Sequence, residues 1–211
     1  MVDLRQYTLH PGRRDTLIDI FDEHFVEGQE VCGMHIAGQF RDLNDPDRFV
    51  WLRGFRTLDA RAEALKAFYY GPVWRQHAEA ANATMLDSDN ALLLQPINLG
   101  PDYPQPDALR PDDQPNSVIA GFVHPADDAF PQHFLDNLLP VLSDLGVSPL
   151  AIFRSLSVEN NFPALPLRDD TVLVWLARFT NDTTYELVRE ALSGWKGQEL
   201  RLRPTMRSQV R

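Results

Sequence analysis

The chain has 211 residues, 44% hydrophobic and 24% charged, proportions of an ordinary globular protein that exclude a disordered or fibrous one. A net charge of −10 removes the basic footprint that phosphate-backbone binding requires, so no nucleic-acid partner is expected. The single cysteine, Cys32, excludes an intramolecular disulfide and a thiolate zinc cluster, and no apolar run is long enough to span a bilayer, so a soluble cytoplasmic protein is expected.

In chain order, residues 4–11 (LRQYTLHP) form an extended run that stops where proline cannot continue a ladder. Leu17, Ile20, Phe21, His24 and Phe25 then recur at helical spacing, and Gly33 is placed to cap that helix in the left-handed conformation. Two extended runs follow, QFRDL at 39–43 and FVWLRGF at 49–55, separated by the turn Asn44-Asp45-Pro46-Asp47, which predicts a hairpin. Cys32 reads as a small buried hydrophobe. A further helix is expected to start near Pro72, with Trp74, His77, Ala78, Ala81 and Met85 on one stripe, before the closing strand LLLQP at 92–96.

The same grammar then repeats. VIAGFVHP at 118–125 matches residues 4–11, IFRSL at 152–156 matches 39–43, LVWLARF at 173–179 matches 49–55, and LRLRP at 200–204 matches 92–96. Phe134, Leu138, Leu142 and Leu145 supply the second copy's first helix, ending near Gly146, and Thr183 with Glu186 has capping-box spacing before its last helix. Each unit is therefore βαββαβ, an α+β ferredoxin-like arrangement with one bare sheet face. Two bare faces in one chain can bury each other, so an intramolecular α/β barrel is expected from units 1–96 and 118–211, joined by a Pro/Asp-rich linker over 97–117.

The stretches LRQYTLHPG at 4–12, FVWLRGF at 49–55, and GPVW through SDNALLLQP between 71 and 96 resemble the NIPSNAP family of dimeric α/β-barrel proteins. The resemblance is good over residues 1–96 and weaker over 117–211. It implies the barrel fold, whose hosts include antibiotic-biosynthesis monooxygenase-like and haem-degrading enzymes, but it supplies no catalytic motif to transfer.

Comparing the copies points to the first as the functional half. Trp51 and Phe55 match Trp175 and Phe179, so they read as core, whereas Arg53 lies opposite Ala177, Gln39 opposite Ile152, Gln6 opposite Ala120 and Tyr7 opposite Gly121. Buried polar groups require partners, so these differences predict a polar network or a ligand there. Gln6, Tyr7, Gln39, Trp51, Arg53, Trp74 and His77 are the pocket candidates, with Arg53 placed to stabilise an enolate or phenolate. In that functional reading, with Ala177 as its counterpart, removal of Arg53 is expected to cost about 1 kcal/mol or less; the competing reading has Arg53 snorkel to an edge or pair with an acid such as Asp3 or Glu27. His10 and His124 read as matching turn residues, and His24 and His35 as cavity-lining alternatives.

No dinucleotide, P-loop, zinc-protease or α/β-hydrolase signature is present, and no metal site is expected. The expected function is binding of a small apolar or aromatic ligand in the N-terminal unit, by a cofactor-independent oxygenase or isomerase. A non-catalytic binding or scaffold protein and a haem-binding barrel are the alternatives, and self-association is left open.

Overall fold

In the computed structural model, which describes residues 1–97 and 118–210, the strands are buried on both faces and alternate between two cores. Val2 and Leu4 of β1 (Val2–Leu9), Phe40 of β2 (His35–Asp42), and Val50 and Leu52 of β3 (Arg48–Gly54) point to one side. Their neighbours Tyr7, Leu9, Phe49 and Trp51 point to the other. This double burial explains why the strands read as near-continuous apolar runs.

The remaining strands are β4 (Met85–Asp87), β5 (Ala91–Pro96), β6 (Val118–Pro125), β7 (Pro149–Ser155), β8 (Val172–Phe179) and β9 (Gln198–Pro204). The order β3-β2-β9-β6-β8-β7-β5-β1 closes through the pairing of β1 with β3, so eight antiparallel strands make a barrel and β4 is appended to β1. Within each half the order is the same: β5-β1-β3-β2 in the first and β9-β6-β8-β7 in the second. Two seams join the halves, Phe40 facing Pro204 and Leu94 facing Ser155. Side chains from both halves fill the interior, among them Phe40, Leu92, Ile119, Phe153, Val174 and Leu200, as expected of an eight-stranded barrel.

The outer faces carry the helices. α1 (Arg14–Ile20) runs through a π-helical stretch, Phe21–Phe25, into α2 (Val26–Glu30), and Gly33 follows at φ 95°. The second half repeats the interruption: α5 (Phe130–His133), π-helical Phe134–Leu138, α6 (Leu139–Asp144), and Gly146 at φ 71°. The left-handed caps expected at both glycines are present. α3 (Leu58–Tyr69) is capped by Thr57, whose hydroxyl accepts from the Ala60 amide. α7 (Asp182–Ala191) is capped by Asn181 rather than by Thr183, because the Asn181 side chain reaches the Thr184 amide. α4 (Pro72–Asn82) starts where expected, but Met85 has left the helical stripe and opens β4. The expected linker lies, from residue 98 to 117, outside the described residues.

One alignment between the copies needs correcting. Leu4 faces Leu52 and Leu92, while the residue facing their counterparts Leu176 and Leu200 is Gly121, not Val118. The first strands therefore correspond three residues further along than their shared His-Pro ending suggests. Gln6 is equivalent to Val123 and Tyr7 to His124, while Asp3 and Arg5 stand at the places of Ala120 and Phe122. His10 is exposed at the end of β1, whereas His124 is buried, so the two do not share a role.

Candidate functional site

On the helix-facing side of the first half, β1 and β3 place Asp3 and Arg53 directly opposite each other. Arg53 donates from Nε to Asp3 Oδ2 at 3.0 Å and from Nη1 to Gln29 Oε1 at 3.1 Å, and its guanidinium lies over the Trp51 ring at 5.0 Å. Arg61 of α3 donates to the other Asp3 oxygen at 3.2 Å, and Arg5 Nη1 lies 4.0 Å from Asp3 Oδ2. All four charged side chains are fully buried. Burial pushes the Asp3 carboxyl up, but Arg53, Arg61 and Arg5 together outweigh it and hold Asp3 below the ordinary carboxylate range. Burial pulls Arg61 down, opposed by Asp3. One carboxylate thus faces three guanidiniums. Arg5 Nη1, Arg61 Nη2 and Trp51 Nε1 have no hydrogen-bond partner among the described residues.

The equivalent positions of the second half are Ala120, Phe122, Ala177 and Tyr185, with Leu142 at the place of Gln29. The same outer layer is therefore packed once with charges and once without. A related contrast sits beside it: Trp175 Nε1 donates to His124 Nε2 at 3.1 Å, while Trp51 meets the edge of the Tyr7 ring and its N–H is left over.

A cleft of about 610 Å³ opens between α2, α3 and α4, lined by Val31, Cys32, Phe68 and Val73 with His24 and His77. The two imidazoles stack with centroids 3.7 Å apart, His24 from the π-helical turn and His77 from α4. Burial pushes the Cys32 thiol up, so it remains protonated, and it is only half-buried rather than a core hydrophobe. Among the described residues, no group of three or more His, Cys, Asp or Glu is gathered for a metal ion.

The predicted pocket residues do not converge on one cavity. Tyr7, Trp51 and Arg53 are neighbours, but all are buried, and Arg53 is the partner of Asp3, the competing reading. Removing it would break the shortest ion pair of Asp3 and the hydrogen bond to Gln29, while Arg61 and Arg5 stay beside the carboxylate. Gln6 points into the barrel and exchanges two amide hydrogen bonds with Gln198, at 3.0 and 2.9 Å. Gln39 faces Trp51 across the β2–β3 pair, and both its amide atoms lack a partner among the described residues. Trp74 packs among Phe25, Phe68 and Tyr69, and His77 alone of the seven lines the cleft.

Arg5, Gln29 and Arg61 were not singled out by sequence. The available signal was the alternation Asp3, Arg5, Tyr7 along one face of an apolar strand, with Arg5 already opposite apolar Ile119 in the matched segments.

Residues 2–99 match the NIPSNAP family model. A NIPSNAP family protein from Agrobacterium tumefaciens is 20% identical, covering 48% of this chain and 96% of its own, with a TM-score of 0.42. Two structures span both halves: a monooxygenase-like protein from Lactobacillus acidophilus (11% identity, 96% of this chain and 92% of its own, TM-score 0.56) and an anthrone oxidase-like protein (10%, 97% and 90%, TM-score 0.56). At those identities the likeness concerns the fold, an α+β barrel. No curated protein sequence matches the chain. The family match coincides with the half that holds both the charged cluster and the cleft: it is residues 2–99 of this chain that are similar to the NIPSNAP family.

Proposed function

We propose that the N-terminal unit binds a small apolar or aromatic molecule in the cleft between α2, α3 and α4. The observation that carries the reading is the composition of that cleft: an apolar wall of Val31, Phe68 and Val73 with a stacked histidine pair and the carboxylates of Glu23 and Glu27, Glu23 lying 3.8 Å from His24. Ligand sites have this character, mostly apolar with a few placed polar groups. The cleft depends on α4, an element with no counterpart among the described residues of the second half. In the same reading each half is a ferredoxin-like unit, and one chain reproduces an arrangement otherwise made by two.

Histidines beside an apolar wall suit removal of a proton from an activated C–H or a phenol, the step shared by an isomerase and a cofactor-independent oxygenase. A non-catalytic binding protein would use the same cleft without that step, and a haem-binding one would set an imidazole on the iron. Titration with 1-naphthol, followed by fluorescence, tests the site. Binding should saturate in the native chain and be lost in Val73→Asp, which charges the wall of the cleft, at unchanged circular dichroism. Equal binding by both proteins would remove the proposal. An absorbance spectrum and native mass spectrum of the same sample report haem or a retained ligand.

A further inference from the structure

The turn joining β2 and β3 is short, residues 43–47, but its counterpart between β7 and β8 runs from 156 to 171. Loops of that length without secondary structure of their own are uncommon in a small barrel, and active-site lids are among their uses. This one leaves the second half and lies over the charged cluster of the first. Asn160 and Asn161 each present a side-chain oxygen to Arg61 Nη1, at 3.3 and 2.8 Å, and the Asn161 amide donates to the Leu58 carbonyl. Phe162 is buried against the Tyr69 ring, with centroids 6.0 Å apart and planes 30° apart.

Beneath the loop the charges do not balance. Asp3 is the one acid within contact of Arg5, Arg53 and Arg61 among the described residues. The asparagine oxygens offered to Arg61 are neutral, and Arg61 Nη2 and Arg5 Nη1 remain without acceptors among the described residues. An excess of buried positive charge is costly unless an anion reaches it. The barrel does not require the excess, since the second half packs Ala120, Phe122, Ala177 and Tyr185 at the same places.

We propose that the arginine cluster is a binding site for a small aromatic carboxylate and that loop 156–171 is its lid. In the closed state Asn161 and Phe162 stand in for the ligand, an oxygen acceptor on Arg61 beside a ring stacked on Tyr69. A carboxylate would replace the neutral oxygen with a charged one that guanidinium groups match in geometry, and its ring would displace Phe162. The aromatic lining is already in place, with Phe55 below both Arg53 and Arg61. This site is separate from the cleft at α4 and does not depend on the reading of that cleft.

Phenylacetate is the probe, titrated into the full chain by calorimetry. The native protein should bind it weakly because its own lid competes. Asn161→Ala with Phe162→Ala should bind it about tenfold more tightly, as removal of a competing closed state predicts. Adding Arg61→Gln should abolish that gain, and phenylacetamide, which lacks the charge, should bind none of these proteins measurably. Equal phenylacetate affinity with and without the lid side chains, or equal binding of the amide, would overturn the proposal. Thermal melts establish that each variant is folded. Should the lid variant not fold, hydrogen exchange on the native chain decides: saturating phenylacetate should speed exchange across 156–171 and slow it in α3, and an unchanged loop would refute the lid.

Discussion

The second half provides a designed control for the charged cluster of the first. Replacing Asp3 by Ala leaves three buried guanidiniums with no counter-charge, and replacing Arg53 by Ala removes the partner that lies 2.9 Å from Asp3. Losing Arg53 leaves Asp3 beside Arg61 and Arg5 and costs less, whereas losing Asp3 strands buried charge and costs about 3–5 kcal/mol. For a chain of this size that corresponds to a fall in melting temperature of about 6–20 °C. The double variant carries the Ala/Ala pair that the second half already uses at 120 and 177, so it should lose about 2 kcal/mol less than the sum of the single losses. The complete exchange, Asp3→Ala, Arg5→Phe, Gln29→Leu, Arg53→Ala and Arg61→Tyr, should fold within about 2 kcal/mol of the native chain, since apolar packing commonly replaces buried ion networks without loss. Urea unfolding of the four proteins measures all of this. Single losses below about 1 kcal/mol that add without coupling would show the charges to be solvated, and would refute the argument from burial.

Protonation of His124 would set a proton against the Trp175 N–H, which already donates to Nε2, while Nδ1 faces the Lys196 carbonyl at 2.8 Å. Burial, partly opposed by that carbonyl, lowers the His124 pKa from 6.5, so the folded state binds fewer protons than the unfolded one. Stability should therefore fall as pH drops below about 6.5, and His124→Gln should flatten the profile. Asp22 has the opposite sign: burial, opposed by Arg207 and Arg41, pushes its carboxyl up to about 6, so its contribution should weaken as pH rises from about 4 to 6 and vanish in Asp22→Asn. A Cβ at Gly71 would run into the Ala67 carbonyl oxygen at the junction of α3 and α4, so Gly71→Ala should cost about 1–3 kcal/mol in urea unfolding.

The barrel was legible because its signals are local. Turn residues, strand runs and the caps at Gly33 and Gly146 are fixed by nearby chemistry, and four matched segments gave the duplication. The site was less legible because its logic depends on register. A displacement of three residues exchanges the two faces of a strand, so it set Gln6, an inward residue, against Ala120, an outward one. Asp3 lay outside the matched segment, and Arg5, set against Ile119 there, was a contrast as sharp as that of Arg53; their true counterparts are Ala120 and Phe122. The covering loop gave no sequence signal, since nothing in residues 156–171 says which half they will touch.

Two asymmetries between the halves coincide, and duplication explains how they can. The surplus of arginine lies in the first unit, while the long loop that covers it leaves the second. In a barrel made from two identical chains, a lengthened loop and a charged layer would each appear twice, and every cluster would carry its own electrostatic cost. In the tandem chain the second unit can lengthen its loop while keeping Ala120 and Ala177, and the first can hold charges while its own turn stays at 43–47. The cost of burying unbalanced charge then falls on one outer layer, and the other, sealed by Phe122, Trp175 and Tyr185, continues to stabilise the common barrel.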